Sequence, residues 1–342
     1  MKKFVCILII LCLAVSFVFA GGNREHKPRG KIVIYTSMYD EAIVVLKNEL
    51  QKQFPRCNIE FITRGTGIVQ GWIAAERESG RLGCDIIMVA EPAYALELKE
   101  AGLLHAFRSR EASALAFEYD PEGYWYPVRV SNMVLAFNPE IHTRDSIPNS
   151  FFSFANDERV RGAISMRNPL VSGTTMATAS ALRDKYGYEY FEALGRQRVA
   201  IDYGSDESMT KLESGECSVV MILEESILRK REKEDSRLEV IYPADGTVVI
   251  PSPIMIVNQR WSANRNVATA EAIADWFLSP AGQNAIIKSW MHSVREDISG
   301  IPYDSIPTNL IRANNIPIIW ENVLRQRTEI RRRFEVDIRR NR

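Results

Sequence analysis

From residue 31 onward, apolar β-branched runs alternate with segments of helical periodicity. The runs KIVIYT, NIEFIT and DIIMVA are typical of buried strands, and each is followed by a helical segment: DEAIVVLKNELQKQF, GIVQGWIAAERESG and PAYALELKEAG. Pro55, Gly80 and Gly102 are placed to end these three helices. The order βαβαβα predicts a parallel sheet that is covered by helices, so we expect an α/β fold.

A second unit of the same kind follows the stretch FFSFANDERVRG. Its predicted strands are GAISM, VAIDYG, CSVVMIL and LEVIYP, and its predicted helices include TTMATASALRDKYG, DESMTKLESG and EESILRKREKED. Two long extended segments, YWYPVRVSNMVLAFNPEI and TVVIPSPIMIVNQ, lead out of the first unit and back to it, before a helical pair that is split at Ser279 and Pro280. Two lobes joined by two long strands predict a cleft between the lobes and a hinge beneath it. The predicted boundaries are 31–128 with 258–342 for lobe 1, 139–246 for lobe 2, and 129–138 with 247–257 for the hinge strands.

The N-terminus has the pattern of a secretory signal peptide. The basic MKK precedes the apolar run FVCILIILCLAVSFVF, and small residues before Gly21 predict cleavage after Ala20, with a polar linker at 21–30. The apolar run is short for a membrane anchor, and the cut lacks the cysteine that lipid attachment requires. We therefore expect residues 1–20 to be removed from an exported, soluble protein.

Charge and cysteine spacing exclude several classes of partner. The formal net charge of the 342 residues is zero, so no basic field favours nucleic acid. Cys57, Cys84 and Cys217 lack CxxC spacing, which speaks against a zinc site or a redox pair and favours buried apolar roles. The four histidines are scattered, and we predict neither a resident metal nor a cofactor.

The C-terminal segment WENVLRQRTEIRRRFEVDIRRNR carries eight arginines and three acidic residues from Arg325 onward. A basic tail of this kind can bind a membrane surface or a partner. However, Ile330, Phe334 and Ile338 recur every fourth residue, which places them on one face of a helix. An amphipathic helix that packs on a lobe is therefore the favoured interpretation.

Four strand-to-helix joints are rich in hydroxyls and glycines. They read YTSMYD, TRGTG, NPLVSGTT and GSDES, two in each predicted lobe. Each joint alone is explained by helix capping. In open α/β sheets, however, ligands bind at the carboxyl ends of the strands, where helix N-termini favour anions. Together the joints predict an anion site in the cleft, with the candidate residues Thr36, Ser37, Tyr39, Gly65, Thr66, Gly67, Ser172, Gly173, Thr174, Thr175 and Ser205.

An exported enzyme is a minor alternative. Gly65, Gly67 and Gly71 resemble a dinucleotide-binding fingerprint, with Glu91 about 20 residues further along. The glycines follow the second strand rather than the first, and the last of them is displaced by one position. The sequence also lacks a Ser/His/Asp order, an HExxH helix and a P-loop, so we do not expect catalysis.

Several segments in order resemble a known family. They include IVIYTSMYDEA, GTGIVQGWIAAERESGRLGCDIIMVAEPAYALELKEAGLL, YWYPVRVSNMVLAFNP, YPADGTVVIPSPI and AIADWFLSPAGQNAI. They are similar to extracellular solute-binding proteins that feed ABC importers, and most similar to the ferric-ion and phosphorylated-solute branch. The resemblance implies a type II periplasmic-binding-protein fold that closes on its ligand. It also implies a monomer that works in the periplasm and docks on a membrane permease.

The resemblance leaves ferric iron open as a ligand. In iron-binding members a His, a Glu and a Tyr pair hold the metal, and these positions correspond here to Tyr39, to the neighbourhood of Ile68, and to Glu225 with Ser226. The iron set is therefore absent. Tyr39, Tyr203 and Glu225 are hard oxygen donors that could still hold ferric iron.

A phosphate- or phosphonate-bearing solute fits the resemblance better. The Ser-Gly helix start that holds an anion in this family matches Ser172, Gly173 and Thr174, with Ser37 and Thr66 closing from the other lobe. Arg129, on a crossing segment, either adds positive charge to the site or forms a surface ion pair. Three acidic residues either hold hydroxyl or amine groups of the ligand or are solvated on the surface: Glu91, Asp206 and Glu224.

Overall fold

The computed structural model describes residues 27–339. The predicted signal peptide, its cleavage after Ala20 and the first part of the predicted linker lie outside the described residues. Within the described part of the chain, none of the helices combines the length and the apolar character that crossing a bilayer would require.

Ten strands of the described chain form one sheet, in the order β2-β1-β3-β10-β5-β8-β6-β7, with β4 paired to β10 and β9 paired to β5. The strands are β1 (Gly30–Thr36), β2 (Cys57–Thr63), β3 (Ile86–Met88), β4 (Leu104–His105), β5 (Trp125–Phe137), β6 (Ile164–Arg167), β7 (Ala200–Asp202), β8 (Val219–Leu223), β9 (Glu239–Ile241) and β10 (Val248–Val257).

Twelve α-helices of the described residues surround this sheet. They are α1 (Asp40–Gln53), α2 (Thr66–Glu78), α3 (Pro92–Glu100), α4 (Phe151–Asn156), α5 (Gly173–Tyr186), α6 (Glu189–Arg196), α7 (Ser205–Ser214), α8 (Glu224–Glu234), α9 (Val267–Leu278), α10 (Pro280–Lys288), α11 (Thr308–Ala313) and α12 (Trp320–Arg333). A π-helical turn, Phe334–Arg339, continues α12.

Two parallel groups of strands build the two ends of the sheet. Strand β1 pairs in parallel with β2 and β3, and β6 pairs in parallel with β7 and β8. We use lobe 1 for the part built on β1–β3 and lobe 2 for the part built on β6–β8. Parallel strands need crossover connections, and helices α1, α2 and α5 supply them, as the alternating pattern predicts.

Strands β5 and β10 run antiparallel through the middle of the sheet and link the two lobes. Strand β10 pairs with β3 of lobe 1, whereas β5 pairs with β8 of lobe 2. The two strands pair with each other from Val248–Met133 to Met255–Trp125, with a shift of register after Ser252. They correspond to the two long extended segments of the sequence.

Apolar side chains cover both faces of lobe 1. On one face, Ile32 and Ile34 pack with Leu46 of α1 and with residues of α9 and α10. On the other face, Val33 packs with Val69 of α2 and with residues of α3. Burial on both sides explains why β1 and β3 read as nearly continuous apolar runs, whereas the edge strand β2 alternates between buried and exposed residues at its start.

The C-terminal helix is amphipathic and packed, as predicted. Ile330, Phe334 and Ile338 are buried, and they belong to a core that also contains Leu135 and Ile164. Those two residues come from β5 and β6, so the helix joins the core of lobe 2. The sequence-based boundaries place this segment in lobe 1, and the packing differs from them because an apolar face does not specify its partner.

The three cysteines of residues 27–339 are buried and unpaired. Cys57, Cys84 and Cys217 form no disulfide within residues 27–339, and each lies in an apolar core. Burial raises the pKa of the Cys84 thiol well above its usual value. These side chains therefore act as small apolar residues rather than as reactive thiols.

Candidate functional site

The carboxyl ends of strands from both lobes meet at one cavity of about 340 Å³, which we call the central cavity. Helices α1, α2 and α5 begin at its wall, and Tyr39, Gly65 and Ser172 are their N-cap residues. The first turn of a helix leaves backbone N–H groups without intrahelical partners, so three helix starts supply donors and partial positive charge. Ten of the predicted site residues line the central cavity: Ser37, Tyr39, Gly65, Thr66, Arg129, Ser172, Gly173, Thr174, Asp206 and Glu225.

The hydroxyls at the start of α5 form a directed chain. Ser172 Oγ accepts from the backbone N of Thr175 at 3.3 Å and from Thr175 Oγ1 at 2.9 Å. A hydroxyl oxygen has two acceptor lone pairs, and these two hydrogen bonds occupy both of them in Ser172. In any further hydrogen bond, Ser172 therefore acts as the donor. Its hydroxyl lies 3.1 Å from Thr174 Oγ1, which can accept that proton. Thr174 is then left with a proton to donate into the cavity.

Helix capping and anion binding at the start of α5 are therefore compatible with each other. Ser172 is the N-cap of α5, as the conservative interpretation requires. Ser172, Gly173 and Thr174 also line the central cavity. Thr175 does not line it, and its side chain acts through Ser172.

Arg129 is a buried cation rather than half of a surface ion pair. Only 3% of the residue is exposed, and its guanidinium donates to Ser131 Oγ at 3.1 Å and contacts Met291 Sδ at 3.3 Å. Ser131 in turn donates to Glu225 at 2.8 Å. Burial lowers the pKa of Arg129 and raises the pKa of Glu225, and each of these two groups opposes the shift of the other.

Three further arginines line the central cavity and were not predicted: Arg64, Arg167 and Arg229. Arg64 directly follows β2 and lies inside the joint TRGTG, whereas Arg167 ends β6 and directly precedes the joint NPLVSGTT. Within residues 27–339, neither has a carboxylate within 4 Å, and the same holds for Arg129. For both Arg64 and Arg167, the signal that the sequence offered was a single basic residue at the end of a predicted strand.

The two lobes touch around the cavity, so the structure is closed. The Tyr39 hydroxyl of lobe 1 lies 3.1 Å from Ser205 Oγ and 2.6 Å from Ser226 Oγ of lobe 2. Gly67 N donates to Val171 O at 3.2 Å. At the rim, Arg229 of α8 pairs with Glu41 of α1.

The glycines at 65 and 67 allow this close approach. A Cβ at Gly65 would lie 3.1 Å from Val171 O, and one at Gly67 would lie 2.7 Å from Leu170 O. Both contacts are with the backbone of the opposite lobe. Lobe contact therefore accounts for the two glycines of the dinucleotide-like pattern.

Seven predicted site residues do not line the central cavity: Thr36, Gly67, Glu91, Thr175, Tyr203, Ser205 and Glu224. Thr36 is fully buried and donates to Met88 O at 3.0 Å. Ser205 supports Tyr39 through the hydrogen bond described above. Tyr203 is 59% exposed at the surface.

The acids Glu91 and Glu224 were predicted as ligand contacts or as surface acids; both are buried, and neither lines the central cavity. Glu91 is 1% exposed and accepts from Arg327 of α12 at 2.8 Å. Glu224 is equally buried and lies 3.1 Å from His292 Nε2, with the Tyr242 hydroxyl 2.5 Å away. Both carboxylates are held by partners that are distant in the chain, so their side chains turn away from the cavity.

The three possible iron donors are not brought together. Tyr39 and Glu225 line the central cavity, whereas Tyr203 does not. Burial, and then the charge of Glu225, raises the pKa of Tyr39, which opposes the phenolate form that binds iron. Over residues 27–339, no group of three or more His, Cys, Asp or Glu side chains is placed to hold a metal ion.

Comparison with known proteins supports the fold. The periplasmic binding protein AfuA from Actinobacillus pleuropneumoniae, with exogenous fructose-6-phosphate bound, is similar at a TM-score of 0.77 and 19% identity, over 91% of this chain and 99% of that one. Iron-bound HitA from Pseudomonas aeruginosa is similar at 0.76 and 17%, over 90% and 99%. The periplasmic binding protein P5PA is similar at 0.74 and 19%, over 91% and 100%. The fold is therefore the predicted type II periplasmic-binding-protein fold.

The family follows from the sequence itself. No curated protein sequence matches the chain significantly. Residues 84–299, which are more than half of the chain, match the family described as bacterial extracellular solute-binding protein. The chain belongs to this family of bacterial extracellular solute-binding proteins, as its sequence segments predict.

Proposed function

We propose that the protein captures a small anionic solute, bearing a phosphate or phosphonate group, in the central cavity and delivers it to the permease of an ABC importer. One observation carries this proposal. Ser37 Oγ, Arg129 Nε and Arg167 Nε are buried at the cavity and have no hydrogen-bond partner among residues 27–339. Buried polar groups are nearly always paired, so three unpaired donors at one cavity call for an acceptor-rich ligand. A phosphate or phosphonate oxyanion supplies these acceptors.

The surrounding groups support an organic phosphate. Thr174 has a proton to donate, and the starts of α1, α2 and α5 favour negative charge. Asp206 and Glu225 also line the cavity and can accept hydrogen bonds from ligand hydroxyls. A solute with an anionic end for the donors and a hydroxylated end for these two carboxylates fits this arrangement. AfuA, which shares the fold, holds fructose-6-phosphate, a ligand of that class.

Ferric iron is the second candidate. HitA shares the fold and binds iron, and Tyr39 and Glu225 are two oxygen donors in the central cavity. Two features weigh against iron. The Tyr39 hydroxyl is engaged by Ser205 and Ser226, and burial raises the pKa of Tyr39, which opposes the phenolate form that binds iron.

The wider role follows from the family. We propose that the exported protein works in the periplasm as a monomer, that it closes on its solute, and that it has no catalytic activity. No nucleophile and base pair is visible in the sequence, which supports a binding role. Turnover of a phosphorylated solute by the pure protein, abolished by a single change in the cavity, would contradict this part of the proposal.

Calorimetry with three probes tests the ligand class: a hexose phosphate, an alkyl phosphonate and ferric citrate. We expect an organophosphorus probe to bind and Thr174→Val to weaken its binding about 10- to 150-fold. That range follows from about 1.5–3 kcal/mol for a hydrogen bond to a charged group. Thr178→Val is the matched control, because Thr178 lies one turn further along α5, donates to Thr174 O at 2.9 Å and does not line the cavity.

Binding of iron instead of an organophosphorus probe would favour ferric iron as the ligand. Tight binding of ferric iron that is lost in Glu225→Gln or Tyr39→Phe, without any response to either organophosphorus probe, would overturn the proposal. Equal weakening by Thr174→Val and Thr178→Val would show that the effect comes from the helix and not from the lost proton donor.

A further inference from the structure

Helix α12 connects the two lobes. Its residue Ile330 is buried in the core of lobe 2, and Arg333 contacts Glu192 of α6 at 3.0 Å. Its other side faces lobe 1, where Arg327 donates to Glu91 at 2.8 Å and to Glu97 at 2.9 Å. The arginine-rich segment is therefore a bridge between lobes.

A second cavity, of about 310 Å³, lies between α12 and the helices α2 and α3 of lobe 1. It shares no lining residue with the central cavity. Its polar lining includes Gln70, Arg77, Tyr94, Arg327 and Arg331. The binding role of the central cavity does not use any of these groups.

Positive charge is in excess in the second cavity. Three arginines line it against one carboxylate, that of Glu97. Both Glu97 and the nearby Glu91 are already taken by Arg327. Within residues 27–339, neither Arg77 nor Arg331 has a carboxylate within 4 Å.

Both Arg327 and Arg331 have an unsatisfied Nε, but of the two only Arg331 lacks an ion pair among the described residues. Its Nε atom is buried and has no hydrogen-bond partner among the residues that the structure describes. Burial and the neighbouring charge of Arg327 both lower the pKa of Arg331. A guanidinium with an unpartnered buried Nε beside a like charge is costly unless an acceptor compensates it.

We propose that the second cavity is an oxyanion site, which holds a small doubly charged oxyanion between Arg331 and Arg77. The ligand class is inorganic phosphate, sulfate or a phosphomonoester group, since a guanidinium binds such oxygens in a bidentate manner. Arg77 belongs to α2 of lobe 1 and Arg331 to a helix in the core of lobe 2. A bound oxyanion therefore stabilises the closed arrangement of the lobes, which by linkage raises the affinity of the central cavity.

The test compares Arg331→Gln with Arg332→Gln. Arg332 is the adjacent residue, its side chain is 57% exposed, and it pairs with Glu329 away from the second cavity. Each variant removes one positive charge from the same helix. Sulfate is titrated at constant ionic strength into the full exported chain and both variants, with calorimetry and thermal unfolding as readouts. Any sulfate that binds in the central cavity contributes equally to all three proteins.

We expect the wild type and Arg332→Gln to respond alike, and the apparent affinity of Arg331→Gln for sulfate at the second cavity to fall about 10-fold or more. Without sulfate, Arg331→Gln should unfold at the same temperature as the wild type or higher, because a like charge beside Arg327 is removed. Repeating the titration with glycerol phosphate distinguishes an inorganic oxyanion from an ester. An equal sulfate response in all three proteins overturns the proposal. So does an Arg331→Gln variant that unfolds at a lower temperature without sulfate and keeps the full response.

Discussion

Gly67 offers a direct test of whether binding requires the lobes to close. The change is Gly67→Ala, in helix α2 of lobe 1. The new Cβ would lie 2.7 Å from Leu170 O and 3.2 Å from Val171 Cα, which are backbone atoms of lobe 2. A backbone carbonyl cannot rotate away as a side chain can, so the lobes must separate by a few tenths of an ångström. The fold of lobe 1 is spared, because alanine favours a helix over glycine by about 1 kcal/mol.

The expected loss of affinity in Gly67→Ala is set by the strain that the new Cβ causes in the closed form. Overpacking costs about 1–3 kcal/mol, and here the cost applies only when the lobes meet. Apparent affinity falls in proportion to the population of the binding-competent form. Binding of a hexose phosphate should therefore weaken about 5- to 150-fold. The hydrogen bond from Gly67 N to Val171 O, 3.2 Å in the closed structure, should lengthen as well.

Calorimetry and solution scattering measure the two consequences. Gly67→Ala should bind more weakly, and at a ligand concentration that saturates the wild type it should keep a larger radius of gyration than the liganded wild type. Gly71→Ala is the matched control: it lies one turn further along α2, and a Cβ there meets nothing within 4 Å. Wild-type affinity and wild-type compaction in Gly67→Ala would refute the conclusion that the lobes close on each other at this helix.

Two further predictions concern carboxylates that join the lobes. Glu41→Gln removes the rim contact to Arg229. The Glu41 side chain is 47% exposed, and an exposed ion pair contributes little, so the affinity for hexose phosphate should fall at most about 5-fold. The control Glu49→Gln, also in α1, should leave the affinity unchanged. Equal effects in both variants would count against a rim contact. Burial raises the pKa of Glu91 from 4.5 to about 7, with Arg327 opposing the shift. The folded state then binds the proton more tightly than the unfolded state, and unfolding free energy should fall by up to about 3 kcal/mol as pH rises from 4.5 to 7. Chemical denaturation of Glu91→Gln across that range should show a flatter profile, and an unchanged profile would mean that Glu91 does not titrate there.

The sequence by itself predicted most of the elements and the position of the central cavity. Each strand of a parallel sheet is buried on both faces and each covering helix on one, so the apolar pattern predicted β1–α1–β2–α2 and the two crossing strands. It missed short elements such as α4, whose six residues are too few for a period to show. The carboxyl ends of parallel strands share one edge of a sheet, which is why joints read one at a time, such as Ser37 and Ser172, met at one cavity.

Only the tertiary structure decided which charged side chains reach that cavity. Glu91 follows a strand as Ser37 does, yet it pairs with Arg327, which lies 236 residues further along the chain. Arg167 looks like an ordinary basic residue at the end of a strand of lobe 2, and it lines the central cavity because lobe 1 closes over that strand end. The pattern of apolar and polar residues along the chain indicates which residues are buried, because burial repeats with the period of the helix or strand. The direction of a long charged side chain depends on partners that the fold brings close from distant parts of the sequence, and no local period encodes them.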